Sequence, residues 1–130
     1  MGFRVLLADP PAGFPEQLAA AAPDVEFRDL AAARADWPHD AAMWWPTRAD
    51  AFGERLDRLS RRIRVDGALW VVMPKKALAA SFGVGLTWDE MQRAALASGD
   101  FVDTKTVSLG PTHYATRFVV RANRRKARGG

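Results

Sequence analysis

The segment Gly67-Ala-Leu-Trp-Val-Val-Met-Pro-Lys-Lys76 constrains this chain most: six uncharged apolar residues, Ala68 to Met73, run up to a proline. The run is short for a helix, and Val and Trp favour extended backbone, so it reads as a strand buried on both faces. Such strands lie in the middle of parallel sheets that carry helices on either side. Open sheets of this kind bind ligands just beyond the carboxyl ends of their strands. Lys75 and Lys76 follow the run and stand where a site would lie.

The flanking sequence repeats the alternation. Phe3 to Ala8 predicts a first strand, halted by Asp9-Pro-Pro-Ala-Gly13, because proline neither donates to a ladder nor continues one. Phe14 to Ala22 predicts a short helix with Pro15 tolerated in its first turn. Val25 to Arg28 alternates as a second strand, Leu30 to Ala35 suits a helical turn or two, and Ala41 to Trp45 reads as a third buried strand. Arg48 to Arg64 predicts a helix, with Phe52, Leu56, Leu59 and Ile63 on one stripe. Glu54–Arg58 and Asp57–Arg61 pair on its wet side, and Asp66-Gly67 turns into the central strand. Thr87-Trp-Asp-Glu90 is a capping box for a helix running to Ser98, with Trp88, Met91, Ala94 and Ala95 inward and Gly99 as its stop. Phe101 to Leu109 and Tyr114 to Arg121 form a hairpin about Gly110-Pro-Thr-His113. The expected fold is a three-layer, Rossmann-like α/β domain over residues 1–121, with about four parallel strands and a C-terminal antiparallel hairpin.

Charge and composition narrow the function classes. The net charge of +4 resides in Arg124, Arg125, Lys126 and Arg128; without those four, 15 basic residues face 15 acidic ones. The basicity therefore belongs to a tail, residues 122–130, which is too polar to pack and is expected to be disordered. Nucleic-acid association is expected only weakly and through that tail. The chain has no cysteine, which removes thiol nucleophiles and thiolate zinc sites. No apolar run reaches the ~20 residues of a membrane helix, and Asp9 interrupts the first apolar stretch, so a cytoplasmic location is expected. His39 and His113, the only histidines, are expected on surface loops, with no metal spacing between them. Trp44, Trp70 and Trp88 belong to the core by pattern, whereas Trp37 and Trp45 adjoin prolines and are expected at element ends.

Two resemblances bear on the fold. The order Gly67–Met73, Thr87–Ser98, Phe101–Arg121 is similar to the C-terminal part of class I S-adenosylmethionine-dependent methyltransferases. Asp9-Pro10-Pro11 stands where those enzymes place a Gly-x-Gly loop, and Asp29 is the candidate for their ribose-holding acid. That resemblance implies a shortened relative lacking the cofactor loop. Asp9-Pro10-Pro11 also resembles the Asp-Pro-Pro-aromatic motif of amino methyltransferases, without its aromatic residue or its place in the chain, and is read as a strand-terminating turn. Over nearly its whole length the chain resembles a family of short bacterial proteins of unknown function. The resemblance rests on Trp70-Val-Val-Met-Pro-Lys-Lys76, Thr87, Val102-Asp-Thr-Lys-Thr-Val107 and Arg117-Phe-Val119, and departs at His113-Tyr-Ala115.

The candidate chemistry is an anion-binding crevice at the strand ends, drawn from Asp9, Trp45, Arg48, Lys75, Lys76 and Thr87, with Gly83 and Gly85 allowing backbone amides to approach. Asp89 and Glu90 oppose an anion there. No catalytic residue, metal or cofactor is assigned. The expected function is a non-catalytic domain binding a small anionic ligand or a protein partner, with a homodimer among the options. A degenerate methyltransferase-like enzyme using the same crevice is the alternative.

Overall fold

Strand β4 (Ile63–Pro74) is hydrogen-bonded on both sides, parallel to β3 (His39–Trp44) and antiparallel to β6 (His113–Val120). Ala68, Leu69, Val71, Val72 and Met73 are buried, as a strand covered on both faces requires. The computed structural model describes residues 3–32, 39–97 and 99–121. Within them, β1 (Phe3–Ala8), α1 (Phe14–Ala21), β2 (Val25–Asp29) and β3 precede α2 (Phe52–Ser60) and β4. Then follow α3 (Trp88–Leu96), β5 (Phe101–Leu109) and β6, with short 3-10 turns at Leu30–Ala32 and Lys76–Leu78. The sheet order is β2-β1-β3-β4-β6-β5. The first four strands run parallel and β5–β6 is an antiparallel hairpin, the architecture that the alternating pattern predicts. The chain steps from β2 back across β1 to β3, so the order reverses between β1 and β3, and that switch point opens a crevice at the carboxyl ends.

The two faces are unequally covered. Leu6, Ala42, Trp44, Leu69, Val71 and Phe118 face α2 and α3 and form the larger core with Phe52, Leu56 and Met91. Val5, Leu7, Met43, Trp45, Val72 and Ala115 form a smaller core on the other face, with Phe14 and Leu18 of α1 packed against it. Beside α1 that face retains a cavity of about 640 Å³, lined by Phe27, Met43 and Trp70 and rimmed by Asp40, Arg64 and Arg117. No helix of the described residues is long and apolar enough to cross a membrane.

Several boundaries differ from expectation. The helix predicted over Arg48–Arg64 is α2, which starts at Phe52 because Ala51 takes a left-handed φ of 53° and offers no side-chain cap. It ends at Ser60 because Ile63 already pairs with His39. Gly67 accordingly lies inside β4 and is not the turn into it. The register shifts between His39 and Ala41, and the chain bulges outward over Arg64–Gly67 before Ala68 rejoins opposite Ala41. Helix α3 ends at Leu96, and Gly99 takes the left-handed φ of 77° expected of a helix stop. Ser98, Trp37 and the basic tail 122–130 lie outside the described residues.

Both histidines are corrections. His39 and His113 are each 1% exposed, the first opening β3 and the second opening β6. A loop position was expected from the neighbouring Pro38 and Gly110-Pro111. The sheet extends one or two residues further toward those prolines and draws each ring inside.

The bulge at Gly67 gives a direct test. A Cβ on Gly67 would overlap the Asp40 carbonyl oxygen and crowd that of Arg64, both backbone atoms that cannot rotate away. Gly67→Ala should lower the unfolding free energy by about 1–3 kcal/mol in urea denaturation, as overpacking does elsewhere. An unchanged midpoint would show that the β3–β4 bulge relaxes freely.

Candidate functional site at the strand carboxyl ends

The β1–α1 turn begins at Asp9, which takes a left-handed φ of 57°. Aspartate tolerates this conformation better than most residues because its short side chain can hydrogen-bond locally. Here the carboxylate is turned toward α2, and the Arg55 guanidinium donates to its Oδ2 at 2.6 Å across the switch point. Arg55 also lies over the Trp44 ring, 5.0 Å from its centroid, and Trp44 in turn stacks on Phe52 at 4.7 Å. Trp44 is the last residue of β3, so the ion pair and the stack close the end of that strand together.

Arg55 is one wall of a groove. Arg55 and Arg58 stand one turn apart on α2, and Arg62 follows in the turn closed by its N–H donating to the Leu59 carbonyl at 3.0 Å. With Ala8, Leu30 and Leu59 they enclose about 400 Å³ beside the carboxyl ends of β1 and β2. Among the described residues, the lining carries three guanidinium groups and no carboxylate. Glu54 approaches Arg58 only at 3.9 Å, with both side chains largely exposed. Asp29 sits at the end of β2, where its Oδ1 accepts from the Ala31 N–H at 2.9 Å and shapes the 3-10 turn.

The residues singled out from sequence are distributed over this edge. Lys76 and Thr87 line one cavity of about 250 Å³ with Asp89, Trp88 and Tyr114. The Thr87 hydroxyl accepts from the Glu90 N–H at 3.2 Å, and the Thr87 N–H donates to Glu90 at 2.9 Å, so the expected capping box is present. The backbone bond from Thr87, aided by its hydroxyl, holds the Glu90 carboxyl below the usual range. Burial pushes the Tyr114 phenol up. Lys75 is exposed, and its N–H donates to the Thr112 carbonyl at 2.8 Å. Arg48 is exposed in the loop after β3, where the Gly85 N–H donates to the Thr47 carbonyl at 2.9 Å. Trp45 is buried, with Phe14 of α1 5.4 Å away on the smaller core's face, and does not form a rim. Asp9 thus belongs with Arg55, Lys76 belongs with Thr87, and Trp45 belongs to the core.

Sequence reading missed Arg55, Arg58 and Arg62. The helical spacing that put Leu56 and Leu59 inward assigned Arg58 to solvent, and only the β1–β2 edge beside α2 turns these arginines into a groove. His113 was missed as a packing residue. Its ring sits between Phe14 at 5.0 Å and Phe82 at 4.7 Å, and Nδ1 shares a 2.8 Å hydrogen bond with the Thr112 hydroxyl. It joins α1, the turn after Lys76 and the β5–β6 hairpin at the strand ends.

No family model matches the chain, and no curated protein matches its sequence. Solved structures do. A Pyrococcus horikoshii protein aligns over 93% of this chain and 83% of its own, with TM-score 0.58 and 11% identity. The N-methyltransferase NodS from Bradyrhizobium japonicum, in complex with S-adenosyl-L-homocysteine, aligns over 92% of this chain and 78% of its own (TM-score 0.57, 10% identity). The magnesium protoporphyrin IX methyltransferase of Synechocystis, with bound S-adenosylmethionine, aligns over 92% and 71% (TM-score 0.55, 13% identity). The fold is thus that of the class I methyltransferases, and identities this low speak to the fold alone.

The residues at the switch point do not fit the cofactor of that fold. Pro10 and Pro11 carry no N–H, and the Phe14 N–H is taken by the Pro11 carbonyl at 3.2 Å. The Asp9 carboxylate is held by Arg55, and Gly13, with φ of 91°, comes only at the start of α1. This turn offers no glycine cradle for close backbone approach.

His113 supplies the pH test. Burial holds its imidazole below the ordinary value, so the unfolded chain takes up a proton at higher pH than the folded one. The stability tied to the neutral ring is complete above the unfolded pKa of about 6.5 and is lost as pH falls through it toward the folded value. The urea midpoint should therefore drop between about pH 7.5 and pH 5.5, and His113→Phe should shed part of that slope. An identical slope in the variant would assign the proton uptake to other groups.

Proposed function

We propose that this chain is a non-catalytic binding domain on a methyltransferase fold, which takes a small anionic ligand at the carboxyl edge of its sheet. The observation that carries this reading is the groove of Arg55, Arg58 and Arg62, lined among the described residues by cations and apolar side chains only. Two other cavities among the described residues are weaker choices for an anion. Lys76 shares its cavity with Asp89, and the cavity beside α1 is rimmed by acids as well as arginines. Three guanidinium groups offer planar, paired donors that match phosphate and carboxylate geometry. At about 400 Å³ the groove lies in the range of small-molecule sites, which begin near ~300 Å³. Arg48, Lys75 and Lys76, exposed on the same edge, contribute to the field that draws an anion in.

Isothermal titration with inorganic phosphate tests the reading. The intact chain should bind, and the double variant Arg58→Gln, Arg62→Gln should bind more than about tenfold more weakly, the loss expected from charge-assisted hydrogen bonds worth ~1.5–3 kcal/mol each. Lys76→Ala should stay within about twofold of the parent, because its rim effect is long-range and screened. No phosphate binding by the intact chain would refute the proposal. Binding of S-adenosylmethionine with methyl transfer to any acceptor would move the chain to the enzyme class.

A further inference from the structure

One internal anion stands beside the groove and pairs with its wall. Asp9 Oδ2 sits 2.6 Å from the Arg55 guanidinium, with the Asp9 side chain 55% exposed and that of Arg55 47% exposed. An ion pair this open holds its partners weakly and can be exchanged. Resting on the anion-binding reading of the groove, we infer that the ligand is an organic phosphate whose phosphoryl group takes Arg55 away from Asp9.

The argument is one of charge and of surface. A monocarboxylate that displaced Asp9 would exchange one carboxylate for another on Arg55 and gain little. A phosphate monoester carries about −1.5 to −2 charges at neutral pH and three acceptor oxygens, so it engages Arg55 and a second guanidinium at once. Arg58 stands one helical turn from Arg55, with the Glu54 carboxylate 3.9 Å away. The apolar lining selects for an ester over the bare ion. Leu30, only partly buried, gives the organic body of the ligand a surface to cover, with the buried Ala8 and Leu59 behind it. Arg55 is held over Trp44 independently of Asp9, so it keeps its place when the carboxylate is released. Asp9 is then an internal competitor: it keeps Arg55 paired in the free chain and sets a threshold that weakly charged anions do not pass.

Phenyl phosphate and benzoate share an aromatic body and differ in the charged head, which makes them the probes. Titrated into the full chain near pH 7.5, phenyl phosphate should bind at least about tenfold more tightly than benzoate and more tightly than inorganic phosphate. Asp9→Asn keeps a residue that tolerates the left-handed turn and removes the competing charge. It should tighten phenyl phosphate binding about threefold, in proportion to the small strength of an exposed pair. Adding Arg55→Gln to that variant should abolish the gain. If neither phenyl phosphate nor inorganic phosphate binds the parent or Asp9→Asn, the anion-binding reading falls and the inference with it. If phenyl phosphate binds but benzoate matches it, inorganic phosphate binds as well, or Asp9→Asn leaves affinity unchanged or weaker, the inference is overturned and the groove remains an anion site.

Discussion

The double pairing of β4, parallel to β3 on one side and antiparallel to β6 on the other, is the constraint on which the other elements depend. A parallel neighbour must arrive by a crossover, and α2 supplies it, packing against β4 and α3. An antiparallel neighbour runs the opposite way, so the start of β6 meets the end of β4. His113 is thereby paired with Pro74 at the carboxyl edge. An all-parallel sheet would present only strand ends and the loops that leave them there. Here a strand start is added, and its first side chain is clamped between Phe14 and Phe82. The hairpin thus extends the sheet and also fills its carboxyl edge on the α1 side. Among the described residues, the edge stays open on the α2 side, beside β1 and β2, where the arginines stand.

The unequal faces follow from the same connectivity. Two helices, α2 and α3, lie on the larger core, and α1, eight residues long, packs on the smaller one. Parallel strands need cover on both faces, and the side chains beyond the reach of α1 partly provide their own. Trp70 projects onto that face and carries the Lys105 ammonium 5.9 Å from its ring centroid, so a charged side chain from β5 stands where a helix would otherwise pack. Phe3, at 52% exposure, shows where such cover ends.

Much of the fold was legible because it is written in local terms. Ala68–Met73 and Ala41–Trp44 have no charge to place at a surface, Thr87–Glu90 satisfies its own helix start, and Gly99 fits a left-handed stop. What was misjudged depends on non-local pairing. Nothing near Gly67 in sequence announces that Ile63 pairs with His39, so the end of α2 and the start of β4 were each displaced by several residues. His39 and His113 were placed in loops because their neighbours are turn formers, and the sheet register buried them instead. The same limit acts on the site. On the edge that the strand-end rule points to, which cation faces a cavity depends on which helix flank stands open.

The charge balance shows why that flank was hidden. Removing the four tail cations leaves 15 basic and 15 acidic residues, which suggests a body without an anion-attracting face. Net charge is a sum over the surface, whereas binding depends on the charges lining one concavity. On α2 the acids Glu54 and Asp57 are not among the described residues that line the groove. Asp57 is engaged with Arg61 at 3.1 Å, while Arg55, Arg58 and Arg62 line it. A helix whose formal charges nearly cancel therefore presents a cationic flank, and it lies beside the carboxyl ends of β1 and β2. Neutral composition argues against extended polyanions that need a broad field. It is compatible with a compact ligand held by a few guanidinium groups at short range, well inside the screening length.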